Sequence, residues 1–309
     1  MGHSILHCHF ESALRALTQA KANKLPALRA VYTSPAYQRA APAGRLTLLW
    51  QKVLDLTADE EIFTEATFRQ IVQDLIGEME INSVEHIDLR IGPSVGRWHW
   101  MSSSIDGLDI FQDELDRHHD LSIAFLAGIN MTKPTNTLDG IFDSLLESGD
   151  LLGRLAGVDI NFLSTDIFKF DRYVHTLNAL QASGLKVNIH LGELFDNEVS
   201  RYVLSRITPD RIGHGVLLLQ DKKLSDFIRD HEICLDMCPT SNTLLGVVDW
   251  GQDNPARRAL DLGIPISINP DDPLLFGTDM TREIRNSRLR DDELGVIAAY
   301  GRKYRYEIK

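Results

Sequence analysis

Histidines that follow short apolar segments could bind a metal ion in this protein. Residues 187–190 form a β-branched run that ends in His190, and Glu193 follows three residues later. His7 and His9 come after an apolar pair at residues 5–6. On a β-strand, residues two apart lie on one face and can bind the same ion. Glu193 could stand beside a metal-bound water and exchange a proton with it. These residues together predict metal ligands and a proton carrier.

Two later segments end in similar residues. Residues 211–214 form a short strand-like run that ends in His214, and the apolar run 264–269 is followed by Asp271 and Asp272. Asp271 offers a carboxylate as a further ligand, and His214 offers an imidazole for proton transfer. Four segments that end in this way indicate one shared site.

Strand-like and helix-like segments alternate along the whole chain. The predicted strands are residues 4–7, 86–90, 121–127, 157–162, 187–190, 211–214, 233–238 and 264–269. The predicted helices include a region that begins at 11–22, a helix around 141–155, and helices at 222–230 and 291–304. Alternation of this kind is typical of a parallel sheet, and eight units in 309 residues favour an α/β fold of the (β/α)₈ TIM-barrel type. We expect a single domain over residues 1–309, with extra helices after the first strand. The predicted ligands then lie at the carboxyl ends of the strands, where such barrels carry active sites.

The composition excludes several classes of protein. A net charge of −12 argues against binding to nucleic acid, which requires clustered Lys and Arg. No apolar run approaches the roughly 18 residues of a membrane span, and no signal peptide is evident, so we expect no membrane association. The three cysteines suggest no disulfide framework. These features predict a cytoplasmic protein.

Five motifs, taken in order, resemble those of the adenosine deaminase family of the amidohydrolase superfamily. They are His7-Cys8-His9-Phe10-Glu11-Ser12, His190-Leu191-Gly192-Glu193, Arg211-Ile212-Gly213-His214-Gly215, Cys238-Pro239-Thr240-Ser241-Asn242 and Asn269-Pro270-Asp271-Asp272-Pro273. They extend over nearly the whole chain, and their common order makes the resemblance specific.

The resemblance implies a metal centre with one Zn²⁺ per chain. Its ligands would be His7, His9, His190 and Asp271, with a water completing the coordination, and another divalent ion such as Fe²⁺ is an alternative. Zinc lowers the pKa of a bound water toward neutrality, which makes hydroxide available for attack.

The resemblance also implies three catalytic residues. Glu193 would protonate a ring nitrogen of the substrate and later help to deliver a proton to the leaving ammonia. His214 would orient the hydroxide and stabilise its charge. Asp272 would accept a hydrogen bond from the substrate ring or position the water.

The predicted substrate contacts include positions where the chain departs from its relatives. Many relatives have a glycine at the end of the fourth strand that meets the purine edge; here Asn161 and Phe162 stand in that region. Glu11 would face a ribose or its replacement. Gly192, at the bend before Glu193, is a further candidate, and Trp98 could cover a substrate other than plain adenosine.

The function implied is deamination of an adenine-like small molecule. The 6-amino group of an adenine-containing base or nucleoside-like compound would be replaced by oxygen, and ammonia would be released. One alternative is a related amidohydrolase that cleaves another C–N bond, such as an amide or a cyclic amidine, in a non-purine molecule. The other is a barrel that binds ligand without turnover, which has no need of a proton carrier such as Glu193. The sequence leaves open whether the substrate is a free base, nucleoside, nucleotide or analogue, and it does not indicate the oligomeric state.

Overall fold

The computed structural model describes residues 2–10, 25–56, 64–92 and 104–307. Two predicted substrate contacts, Glu11 and Trp98, lie outside these residues, as does the predicted helix at 11–22. The described ranges contain all the other predicted site residues.

Eight parallel strands pair in chain order to form the barrel wall. They are β1 (His3–His9), β2 (Val84–Ile91), β3 (Ser122–Asn130), β4 (Gly157–Asn161), β5 (Lys186–Leu191), β6 (Arg211–His214), β7 (Cys234–Met237) and β8 (Ile266–Ile268). Every paired neighbour is parallel, so each connection must cross over to return to the same end of the sheet. The predicted (β/α)₈ barrel is confirmed.

The barrel is closed between β1 and the segment that follows β8. Cys8 and Asp271 form an isolated parallel bridge. The His9 amide donates to the Asp271 carbonyl at 3.0 Å, and the Asp271 amide donates to the His7 carbonyl at 3.2 Å. Closure therefore brings the backbones of three predicted metal ligands directly together.

Most strands differ from the predicted bounds by a few residues, and β1 and β8 do so for a related reason. β1 continues to His9, two residues beyond the predicted end, because its last residues pair with the segment after β8. β8 is shorter than predicted and ends at Ile268. Beyond this end, the side chain of Asn269 contacts β1. Its Oδ1 accepts a hydrogen bond from the Leu6 amide at 2.7 Å.

Helices follow the strands and cover the barrel. They are α1 (Leu25–Tyr32), α2 (Pro35–Arg39), α3 (Pro42–Leu56), α4 (Glu65–Ile81), α5 (Ser104–Leu115), α6 (Thr135–Glu147), α7 (Gly149–Arg154), α8 (Phe170–Ala182), α9 (Asn197–Leu204), α10 (Lys222–Asp230), α11 (Pro239–Leu244), α12 (Pro255–Asp261), α13 (Pro273–Phe276), α14 (Met280–Ser287) and α15 (Asp291–Tyr304). The helices α1 to α4 lie between β1 and β2, which confirms the predicted extra helices after the first strand. Within the described ranges, no helix combines the length and the apolar character needed to cross a bilayer.

One predicted helix is wrong. The sequence favoured a single helix around residues 141–155, whereas α6 and α7 are separate. Ser148, between them, has a non-helical backbone, and its hydroxyl accepts from the Leu151 amide at 3.3 Å. Ser148 therefore acts as an N-cap that starts a new helix.

Apolar side chains fill the space between strands and helices, whereas the barrel interior contains a buried ion cluster. Ile160 and Ile189 on the strands, and Phe68 and Leu177 on α4 and α8, belong to one continuous buried cluster. The inward side chain of Arg211 is fully buried and pairs with buried carboxylates of β2 and β7.

Candidate active site

His7, His9 and Asp271 place three donor atoms around one point. The Nε2 atoms of His7 and His9 are 3.3 Å apart. Asp271 Oδ1 lies 3.3 Å from His9 Nε2 and 3.5 Å from His7 Nε2. Atoms held about 2.0–2.1 Å from one tetrahedral ion are about 3.3–3.4 Å from each other, so these spacings fit ligands that share a metal.

His190 completes this group from the opposite side of the barrel. Its ring centroid lies 4.5 Å from that of His7 and 5.4 Å from that of His9. One donor atom from each of the three histidines lies within 4.8 Å of the others. Three imidazoles and a carboxylate are a donor set that suits a divalent transition metal such as Zn²⁺.

Glycines and unusual backbone angles allow these side chains to converge. A Cβ atom added at Gly213 would lie 2.8 Å from His7 Cε1, so β6 can approach His7 only with a glycine there. His214 and Asp271 have φ angles of 64° and 61°. For residues with side chains this left-handed conformation costs on the order of 1–3 kcal/mol and is concentrated at functional sites.

Asp159 orients His190 and was not identified from the sequence. His190 Nε2 donates to Asp159 Oδ1 at 2.8 Å, and Asn188 Nδ2 donates to Asp159 Oδ2 at 2.8 Å. Arg90 Nη1 lies 3.3 Å from Asp159 Oδ1, so Arg90 pairs with this carboxylate inside the barrel. Burial would raise the pKa of Asp159, but the neighbouring His190 and Arg90 outweigh it and lower this pKa. Burial also lowers the pKa of His190, to about 4. An acidic residue inside the apolar run of β4 was the available signal.

Glu193 and His214 face each other at the end of the cluster. His214 Nε2 lies 3.4 Å from Glu193 Oε2. Burial raises the pKa of the Glu193 carboxyl well above its ordinary value, and the charge of Asp271 adds to this shift. Burial also lowers the pKa of His214 well below its ordinary value. The pair can therefore present a protonated carboxyl and a neutral imidazole.

Gly192 has a backbone role in presenting Glu193. Its φ is 64°, and an added Cβ would lie 2.8 Å from Leu218 Cγ. A glycine is thus required for the bend after β5. The predicted contact of Gly192 with substrate stays a prediction, since Gly192 is not among the residues that line the main cavity.

Asn242 contacts the catalytic cluster through His214. Its Nδ2 lies 3.1 Å from His214 Nδ1, and both side chains are buried. The motif in the sequence suggested either bonds to backbone groups or contact with substrate, and it did not indicate this contact.

The short helix α11, which carries Asn242, is held by a buried glutamate of α14. Glu283 Oε2 accepts from the Thr240 amide at 3.0 Å, and its other oxygen hydrogen-bonds to the Thr278 hydroxyl. In the described part of the chain no Lys or Arg forms an ion pair with Glu283. Burial raises the pKa of Glu283 to about 7.

We expect the stability of a Glu283→Gln variant to depend less than that of the wild type on a rise in pH from about 4.5 to 7. Because the pKa rises from 4.5 to about 7 on folding, the folded protein binds more protons between these values, and its free energy of unfolding falls as the pH rises through this range. The shift corresponds to about 3 kcal/mol between pH 4 and pH 8. Glutamine accepts the Thr240 hydrogen bond without titrating, so this decline should disappear in urea titrations across the range. Glu147→Gln, at an exposed position, should retain it, and a constant difference between wild type and Glu283→Gln at all pH values would contradict the assignment.

A cavity of about 430 Å³ opens over the cluster. Asn161 and Phe162, two predicted substrate contacts, line it, and so does Asp272 beside Asp271. Its other lining residues are His9, Leu46, Trp50, Leu54, Arg90, Gly92, Asn130, Lys133, Leu163, His190, Glu193, Leu194 and His214. Polar groups thus gather at the floor, and apolar side chains of α3 and of the loops after β4 and β5 form much of the wall. This is the usual composition of a small-molecule site.

The fold and the cluster define a class of protein: a (β/α)₈ barrel in which histidine and aspartate side chains are arranged like metal ligands at the carboxyl ends of the strands. Residues 155–295 match the family model for adenosine deaminase. This range contains His190, Glu193, His214, Asp271 and Asp272. Over this range the chain is similar to the adenosine deaminase family, in agreement with the resemblance seen in the motifs.

Relatives of this family align with part of the chain. It is 36% identical over 119 residues to a putative adenosine/adenine deaminase of Streptomyces coelicolor, with 37% of this chain and 35% of that protein covered. It is 29% identical over 226 residues to an adenine deaminase of Sphingopyxis alaskensis, with 70% of this chain and 63% of that protein covered. The chain therefore spans less than two thirds of either relative.

A solved structure has the same fold over almost the entire chain. The adenine deaminase of Arthrobacter aurescens superposes with a TM-score of 0.76 at 18% identity, covering 99% of this chain and 94% of that chain.

Proposed function

We propose that the protein is a metal-dependent aminohydrolase that replaces the 6-amino group of an adenine-containing compound with oxygen and releases ammonia. The observation that carries this proposal is the convergence, in one cavity, of a three-histidine and carboxylate donor set with the Glu193 carboxyl and the His214 imidazole. The named relatives, which are adenosine or adenine deaminases, support the choice of an adenine ring.

His7, His9, His190 and Asp271 would hold one divalent ion, for which zinc suits the donor set best. When bound, such an ion polarises the attacking water and lowers its pKa toward neutrality. Asp159 contributes by hydrogen-bonding to the His190 ring, which sets its orientation.

Glu193 acts on the substrate ring. Burial raises the pKa of its carboxyl, which favours the protonated form, so Glu193 can donate a proton to the ring nitrogen next to the reacting carbon. This makes the carbon more electrophilic. His214 orients the attacking oxygen, and Asp272 accepts a hydrogen bond from the substrate or the water. The amino group leaves as ammonia after it gains a proton from the same cavity.

A related hydrolase that cleaves another C–N bond would use the same groups on a different electrophile. The names of the relatives favour deamination over this alternative. Asn161 and Phe162 would contact the substrate ring, and the partner is accordingly a small adenine-like molecule.

The test is a substrate panel with metal-loaded protein. Ammonia release and the ultraviolet change of ring deamination would be followed with adenine, adenosine, AMP and N6-methyl and 5′-modified adenosines. AMP belongs in the panel because Lys133 and Arg90 line the cavity. Turnover of any member that is lost on chelation and restored by Zn²⁺ is the expected result. Full metal occupancy without ammonia release across the panel would contradict deamination, and a parallel panel of amides and cyclic amidines would then test the alternative.

A further inference from the structure

The His214 ring is held between two side chains, one at each ring nitrogen. Nε2 lies 3.4 Å from Glu193 Oε2, and Nδ1 lies 3.1 Å from Asn242 Nδ2. His214 is 1% exposed and Asn242 is fully buried, so bulk water does not compete for the contact between them. The identity of the group at Nδ1 therefore decides which nitrogen carries the proton.

The amide NH₂ of Asn242 can only donate a hydrogen bond, so His214 Nδ1 must accept it. A neutral imidazole has one proton, which then lies on Nε2, toward Glu193 and the cavity. We infer that Asn242 is a positioning residue that selects the Nε2–H form of His214, so that His214 donates a hydrogen bond to the attacking oxygen and does not accept its proton. The catalytic part of this inference rests on the proposed function.

The orientation of the Asn242 amide has a physical reason. Its Oδ1 is buried and has no hydrogen-bond partner in the described part of the chain. Turning the amide over would instead leave a buried NH₂ group without an acceptor. A buried group with two unpaired hydrogens is the more costly arrangement.

Contacts outside the cavity hold the helix that carries Asn242. At its N-terminal end, Glu283 accepts from the Thr240 amide at 3.0 Å, and Asn286 Nδ2 donates to Thr240 Oγ1 at 2.8 Å. At its C-terminal end, the Tyr37 hydroxyl donates to the Leu244 carbonyl at 2.8 Å. With both ends of α11 bonded, the amide is already in place before substrate arrives.

The inference changes the path of the proton. When the water oxygen becomes the oxo group of the product, its two protons must pass to carboxylates of the cavity, Asp272 or Glu193, because His214 Nε2 is occupied. One proton leaves on the amine as the C–N bond breaks, which gives ammonia. The other restores the Glu193 carboxyl, which has given its own proton to the ring nitrogen. His214 keeps its own proton throughout and contributes a hydrogen bond that strengthens as negative charge develops.

The kinetic test compares Asn242→Asp and Asn242→Ala with Thr243→Ala. A carboxylate at position 242 can only accept, so it draws the proton to Nδ1 and leaves Nε2 as an acceptor. We expect kcat to fall on the order of 10²-fold or more in Asn242→Asp, as for other misplaced imidazole protons, with KM nearly unchanged. Asn242→Ala should lose less, and Thr243→Ala, at an exposed position of the same helix, should stay near wild type. Full kcat in Asn242→Asp would overturn the inference.

The second test determines the tautomer of His214 by NMR and does not depend on enzyme activity. In metal-loaded protein labelled with ¹⁵N-histidine, the His214 signals are assigned by their loss in His214→Gln. The inference expects an unprotonated Nδ1 and a protonated Nε2 in the wild type, reversed in Asn242→Asp. A protonated Nδ1 in the wild type would overturn it. If the wild type turned over no substrate, the proposed function would fail, and these spectra would still decide the tautomer.

Discussion

A Glu193→Gln variant should lose kcat by about 10²–10⁴-fold while it keeps its metal. Glutamine preserves the shape of the side chain and its contact with His214 but cannot give up a proton to the substrate ring. The measurements are ammonia release and metal content after dialysis. Glu198→Gln, at an exposed position in the following helix α9, is the matched control and should show wild-type rates.

Metal content must be measured in this test because a second set of possible metal ligands also includes His190. His190, Glu193 and His214 also place one donor atom each within 4.8 Å of one another. If Glu193→Gln lost its metal together with its activity, Glu193 would be a ligand and its role as proton carrier would be refuted.

The pH profile gives an independent check on Glu193. Burial raises the pKa of its carboxyl, and the protonated form is the active one, so kcat/KM should fall as the pH rises past that pKa. The residual activity of Glu193→Gln should lack this alkaline limb. An unchanged limb in the variant would assign it to another group.

The barrel and the site residues could be predicted because four of the predicted strands end in, or lead directly into, a histidine or an aspartate. The short runs before His190, His214 and Asp271 predicted strands. The residues that follow these runs predicted the end of the barrel at which the site lies. Two helices were also predicted with their observed boundaries. They are α10 (Lys222–Asp230) and α15 (Asp291–Tyr304).

The residues that orient the site could not be predicted in the same way. Asp159 acts on His190 from the neighbouring strand, and Asn242 acts on His214 from a helix of six residues. Neither contact can be predicted from sequence spacing, because the two residues of each pair come together only in the folded barrel. The separation of α6 from α7 likewise depends on one capping serine, which an apolar pattern does not detect.

Replacing Arg211 by Met should lower the free energy of unfolding by about 3–5 kcal/mol, a large part of the roughly 5–15 kcal/mol that stabilises a typical domain. Arg211 Nη1 lies 2.6 Å from Asp88 Oδ2 and Nε lies 2.9 Å from Asp236 Oδ2, and all three side chains are 0% exposed. Its guanidinium also lies 3.7 Å from the Tyr306 ring centroid. Without Arg211, Asp236 would remain buried without an ion-pair partner among the described residues. Asp88 would keep His86, whose Nε2 lies 2.7 Å from Asp88 Oδ1.

Arg302→Met, at an exposed position of α15, is the control and should change stability by less than about 0.5 kcal/mol. The loss in Arg211→Met should shrink at low pH, because protonation removes the charge of the stranded carboxylates. It should also shrink when Asp236→Asn is added. A loss that is equal at all pH values would refute the electrostatic explanation and leave only lost packing.

Arg211 also links this buried group of charges to the predicted metal site. Its Nη2 donates to the Leu6 carbonyl at 2.8 Å, immediately before His7. The substitution should therefore loosen the backbone that positions His7 and weaken metal binding in protein that is still folded. Zinc titration of Arg211→Met under native conditions, compared with Arg302→Met, measures this second effect. Unchanged zinc affinity in the folded variant would show that the ion cluster stabilises the barrel without positioning its ligands.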